Sequence, residues 1–333
     1  MTGKLLSSLL ILGLTFLCRQ NRLSAQSPSA NGSHAKRALR GIGHFPIVPE
    51  NFHPAARPTT GSHLDAVAMG LAKKKVYQFR SVDFPGANGS NAIDFNDGTA
   101  VGWFEYLNTG VTAFYFHGTS YQSLNIPGAT RSYIVGINAS GHMVGAYTDS
   151  ADRYHGFTFD GNTVVTVDAP NSTDTELDDI NDAGSIVGSY YDLSGAQHGL
   201  LDKNGTVTTL DFPGASSSGA TGINSSGEIV GYYVDSVGAE HGYLLSNGTY
   251  SSIDFPLADN FTDAFGINDA GEIAGGYADA DSQFHGFLYS VGTFTQVDVL
   301  GAQSTFLHRI KNNGNLVGYI YDDFDEIHGV IGH

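Results

Sequence analysis

A histidine returns along this sequence at His155, His198, His241, His285 and His328, and an aspartate stands six residues before each, at Asp149, Asp192, Asp235, Asp279 and Asp322. A carboxylate that meets an imidazole fixes the orientation and tautomer of the ring. Five copies are either five ligand sites or a device that ties one loop at its base. One His and one Asp are too few ligands for Zn²⁺. Ca²⁺ takes roughly 6–8 oxygens, and only the loop with Asp322, Asp323 and Asp325 offers several carboxylates together, so a cation is expected there or nowhere. In one related stretch Tyr106 and Thr112 replace the pair together. Joint loss implies that the two side chains meet, and the structural role is the preferred reading of all ten residues.

The elements that carry these residues repeat with them. The ending "[IVLA]-[VA]-G" falls at Gly102, Gly145, Gly188, Gly231, Gly275 and Gly318, at intervals of 43 or 44 residues. In 209–251 the unit divides into strand a ("ATGIN", 220–224), strand b ("EIVGYYV", 228–234), strand c ("HGYLLS", 241–246) and strand d ("TYSSIDF", 249–255). An Asn-x-x-Gly turn joins a to b, and the Asn-Gly pairs at 204–205 and 247–248 predict tight hairpins between c and d. Four strands in about 43 residues is the size of one propeller blade. The chain ends select a closed ring over an open β-solenoid. The last unit stops after strand c, whereas the repeats begin with an unpaired strand d, "VYQFRSVDF", at 76–84. We therefore expect an all-β, six-bladed propeller over 76–333, its last blade (305–333) completed by the N-terminal strand, so that neither sheet edge stays open. A monomer is expected.

Symmetry breaks mark where a repeat acquires a particular function. Just before the Ile or Phe of strand a stand Asp94, Gly136, Asp179, Gly222, Gly266 and Arg309, with Asp178, His308 and Lys311 alongside. Strand a lies nearest the axis, so these charges converge on the central opening. Asp94, Asp178, Asp179, His308 and Arg309 could run acid–base chemistry on a polar polymer as a hydrolase or lyase, clamp a ligand, or seal the tunnel as salt bridges. The b–c and d–a loops also vary, and strand alternation puts them on one face, where a rigid scaffold presents binding loops. On the binding reading the candidate contacts are Trp103, Glu105, Arg131, Arg153, Asp179 and Arg309. Trp103, the only tryptophan, could stack on a sugar, although packing between blades is the preferred reading. No nucleophile elbow, zinc-protease motif or phosphate loop is present.

Composition narrows the partner. The formal charge is −17 over 333 residues, yet the first 75 residues hold 10 of the 16 basic and 2 of the 33 acidic side chains. The body therefore carries 6 basic and 31 acidic residues, which excludes a nucleic-acid backbone as partner. Lys4, the apolar run "LLSSLLILGLTFL" at 5–17 and "LSA" ending at Ala25 read as an export signal too short to span a membrane. Residues 26–75 read as a flexible basic leader. The single Cys18 falls within the signal, so no disulfide is expected in the mature chain.

The unit "GIN..G.IVG.Y.D..G..HGFL..NGT....DFPGA" resembles the HAF-repeat extracellular proteins of bacteria across 81–333, with His-Gly-Phe, His-Gly-Tyr, His-Gly-Leu or His-Gly-Val in place of His-Ala-Phe. The resemblance implies a secreted, extracellular or periplasmic, repeat protein and no settled activity. We expect a binding module for an extracellular polysaccharide or surface protein, with no cofactor beyond the Ca²⁺ candidate.

Overall fold

The computed structural model describes residues 77–333 except 97, 107–109, 118–119 and 325. The expected export signal and leader, and Asp325, lie outside the described residues. All regular structure described is β, in six four-stranded antiparallel sheets. Five sheets run in chain order over 89–123, 131–167, 172–210, 217–253 and 262–296, as blades 1 to 5. Blade 6 combines three strands of 304–332 with the N-terminal strand Phe79–Ser81. Within it Phe79 pairs with Gly332, Arg80 with Ile331 and Ser81 with Val330. The innermost strands contact one another in cyclic order, blade 6 against blade 1 included. The fold is a closed six-bladed β-propeller and not an open solenoid.

Local sequence explains each part. Asn204 and Gly205, and likewise Asn247 and Gly248, take positive φ (54° and 80°, 50° and 76°), the backbone of a two-residue hairpin that only Asn and Gly enter cheaply. The recurring Gly of strand b is a matter of contact: a Cβ at Gly231 would strike the carbonyl oxygen of Gly219 on strand a, and the other five copies meet the same obstacle. Strand d is the most exposed strand, as at Thr249–Ile253. Apolar side chains fill the spaces between blades. Val101, Ala113 and Leu124 of blade 1 join Ile134, Met143 and Phe157 of blade 2. At the seam Val82, Val317 and Ile331 join Ala92 and Ala100. Among the described residues no helix is long and apolar enough to cross a membrane.

Candidate functional site

Strand a carries a β-bulge at the same place in every blade, leaving Ile93, Val135, Asp178, Thr221, Phe265 and His308 outside the ladder. A bulge frees main-chain polar groups, and buried ones need partners. Arg309 supplies them from the axis. Its Nη1 donates to the carbonyls of Phe265 (2.9 Å) and His308 (3.0 Å), and its Nη2 to those of Asp178 (2.6 Å) and Val135 (3.3 Å). One planar guanidinium thus ties blades 2, 3, 5 and 6.

Asp94 and Asp179 do the converse for N–H groups. Asp94 accepts from Phe95 N (2.7 Å) and Ile137 N (3.0 Å), and Asp179 from Ile180 N (2.9 Å) and Ile223 N (3.0 Å). Each carboxylate therefore staples its own blade to the next. Lys311 Nζ adds a bond to Asp94 at 2.6 Å. Arg309 Nε stands 3.8 Å from Asp179 Oδ1 and 4.0 Å from Asp94 Oδ2. Burial, opposed by Arg309, raises the Asp179 pKa. Gly136 and Gly222 occupy the alternate positions because a Cβ there would come within 2.9 Å of Asp179 Cα or 2.8 Å of the Phe265 carbonyl. The axis admits side chains from only some of its blades.

The six side chains expected to converge are divided. Asp94, Asp179, Arg309 and Lys311 form one cluster. Asp178 and His308 are bulge residues whose side chains go elsewhere. His308 stacks on Phe265 at 4.8 Å, and burial, then Arg309, lowers its pKa to about 3, which leaves it neutral near pH 7. The Asp178 charge acts on Glu176, nearer the loop face. Burial first, then Asp178 and Asp174, raise the Glu176 pKa well above the carboxylate range. Glu176 Oε1 is buried without a hydrogen bond. Asp263 is raised well above its ordinary value by burial and by Glu240. Glu176 and Asp263 escaped the sequence reading. They lie three residues before the axial position, on the other side of the bulge.

The binding candidates are divided as well. Trp103 is 9% exposed and meets the Tyr133 ring edge-on at 6.3 Å, so it packs between blades 1 and 2 and presents no stacking face to solvent. Arg131 pairs with Asp152 at 3.2 Å, Arg153 with Asp149 at 2.8 Å, and half-buried Glu105 stands next to last in strand b of blade 1. These three belong to the loop face. Asp179 and Arg309 instead line a cavity of about 280 Å³ that opens at the a–b turns on the opposite face. Its rim is a ring of asparagines. The side-chain amides of Asn96, Asn138, Asn181, Asn224 and Asn268 each donate to the main-chain carbonyl of the corresponding residue of the next blade, at 2.8–3.4 Å. At Lys311 the pattern ends, and the ammonium turns to Asp94.

Every recurring histidine faces two carboxylates. Nδ1 of His155, His198, His241, His285 and His328 lies 2.9, 3.0, 2.7, 3.0 and 3.4 Å from Asp168, Asp211, Asp254, Asp298 and Asp83. Nε2 lies 3.3–3.6 Å from the Asp six residues earlier. That Asp also closes its own loop, as Asp192 does by accepting from Ser194 N and Ala196 N. The Ser194 hydroxyl first, then these amides, hold its carboxyl down at about 2. The second Asp escaped the sequence reading, although the repeat carries a signal for it: it stands 13 residues after His155, His198, His241 and His285, comes from the N-terminal strand for His328, and is replaced by Asn125 in the unit that lacks the His. Asp322, Glu326 and His328 place one ligand atom each within 4.8 Å of one another. Asp323 is exposed and is not one of the three.

No family model matches the chain, and no curated protein matches it. Among solved structures it is similar to AofleA from Arthrobotrys oligospora (11% identity, TM-score 0.49, covering 77% of this chain and 86% of that one). It is also similar to the fucose-specific lectin from Aleuria aurantia (12%, 0.46, 75% and 90%) and to Trypanosoma rangeli sialidase (9%, 0.48, 77% and 55%). At these identities no function is carried across.

Proposed function

We propose that this protein is an exported, non-catalytic binding module whose b–c and d–a loop face holds an extracellular polysaccharide or surface protein. One observation carries the reading. Of the seven large apolar side chains exposed among the described residues, Leu193, Val237 and Phe324 tip b–c loops, and Leu257 and Leu300 tip d–a loops. Apolar side chains at the tips of loops on one face are available to a partner, and the loops that carry them are the ones whose sequences differ from blade to blade, as binding loops on a rigid scaffold do. The hydrolase or lyase reading has less support. Asp94 and Asp179 are each occupied by two main-chain N–H groups, and neither Asp178 nor His308 joins them.

Retention of the protein on immobilised extracellular polysaccharides and bacterial surface proteins, with assay for released sugar, tests this. The triple variant Leu193→Ser, Val237→Ser, Phe324→Ser should lose retention at least about tenfold with an unchanged melting temperature. Undiminished retention would rule out the loop face. Sugar release that Asp179→Asn abolishes would establish the enzyme instead.

A further inference from the structure

Arg309 Nε is a buried donor without a hydrogen-bond acceptor, in a residue 5% exposed. Such a group is costly unless something completes it. It stands 3.8 Å from Asp179 Oδ1 and 4.0 Å from Asp94 Oδ2, and Arg309 and Asp179 both line the turn-face cavity. We propose that this cavity is a second binding site, distinct from the loop face, for one neutral polyol of monosaccharide size.

The chemistry of the lining selects that class. A group held in the cavity must accept from Arg309 or Lys311 and must also donate to a carboxylate such as Asp179. A hydroxyl does both while remaining neutral. An anion would meet Asp179, Asp182 and Asp269 in the same lining, and a small cation would meet Arg309 and Lys311. Ile137, Ile180, Ile223, Ile267 and Ile310 also contribute to the wall, so the C–H faces of a sugar ring are matched as well as its hydroxyls. The volume of about 280 Å³ lies just below the ~300 Å³ at which pockets for larger, drug-sized ligands begin. The site is preformed, because the asparagine ring and the carboxylate staples hold its walls.

The test follows the Arg309 Nε–H resonance in ¹H–¹⁵N spectra of the full chain while D-glucose, D-galactose, D-mannose, myo-inositol and, separately, D-galacturonate are added. At least one neutral compound should shift it saturably below about 100 mM, at least about tenfold more tightly than galacturonate. Ala139→Trp, which adds bulk at an exposed rim position, should abolish the shift. Ser225→Trp serves the same purpose if the first variant does not fold. The proposal is overturned by the absence of a saturable shift with all four neutral compounds, by a shift that survives the rim variant, or by tighter binding of the anion. Polymer retention by the loop face is independent of each result.

Discussion

Lys311 donates to Asp94 across the junction of the last blade and the first, Nζ to Oδ1 at 2.6 Å. At the other five junctions an asparagine amide reaches a main-chain carbonyl. The ring closes here between segments more than two hundred residues apart, and an ion pair stands in for the amide. Asp94 has a side chain 1% exposed, and Lys311 one 22% exposed. Loss of one partner from a buried pair costs about 3–5 kcal/mol. Lys311 is partly in water and Asp94 keeps two N–H donors, so Lys311→Met should cost about 2 kcal/mol in denaturant unfolding. Lys311→Met with Asp94→Asn should recover part of that loss, and purely additive losses would argue against the pair.

Protonation of the His–Asp clusters should give stability a two-sided pH dependence. Hydrogen bonding to Asp298 raises the His285 pKa above 6.5. Its contribution is therefore complete below pH 6.5 and lost as pH rises through the folded value. Asp192 is lowered from 3.8 to about 2, so its contribution is present above pH 3.8 and lost as pH falls towards 2. The stability gap between the native chain and His285→Gln should narrow from pH 6 to pH 9. The gap for Asp192→Asn should narrow on acidification below pH 4. Thermal melts across that range measure both.

Glu176 should weaken the fold at neutral pH. Its raised pKa favours the protonated form in the folded state, so stability declines as pH rises above 4.5. Glu176→Gln should raise the melting temperature at pH 8 by about 2–4 °C, the shift that ~1 kcal/mol produces in a domain of this size. At pH 4 the gain should be smaller. An equal gain at both values would place the effect in packing and not in charge.

The group of Asp322, Glu326 and His328 should bind Ca²⁺ weakly, since its three ligand atoms fall short of the roughly 6–8 oxygens the ion takes. Melting temperatures in millimolar Ca²⁺ and in EDTA should agree within about 1 °C. A larger shift that Glu326→Gln removes would make this a cation site.

Repetition made the architecture legible. A 43-residue period, Asn-Gly turns and a spare strand d opposite a missing one define blade number, strand order and closure, because each is a local or counting property of the chain. The His with its preceding Asp was legible for the same reason. The fate of the axial residues was not. Asp178 and Asp179 are neighbours in the chain, and the bulge takes one out of the ladder and leaves the other beside Arg309. Whether a residue beside a bulge faces the tunnel depends on main-chain register. Whether its charge finds a partner depends on blades far away in sequence. Only the closed ring brings Arg309 to the Val135 carbonyl, 174 residues distant, and only there do charges that suggested acid–base chemistry become the ties of a scaffold with a small polar cavity at its end.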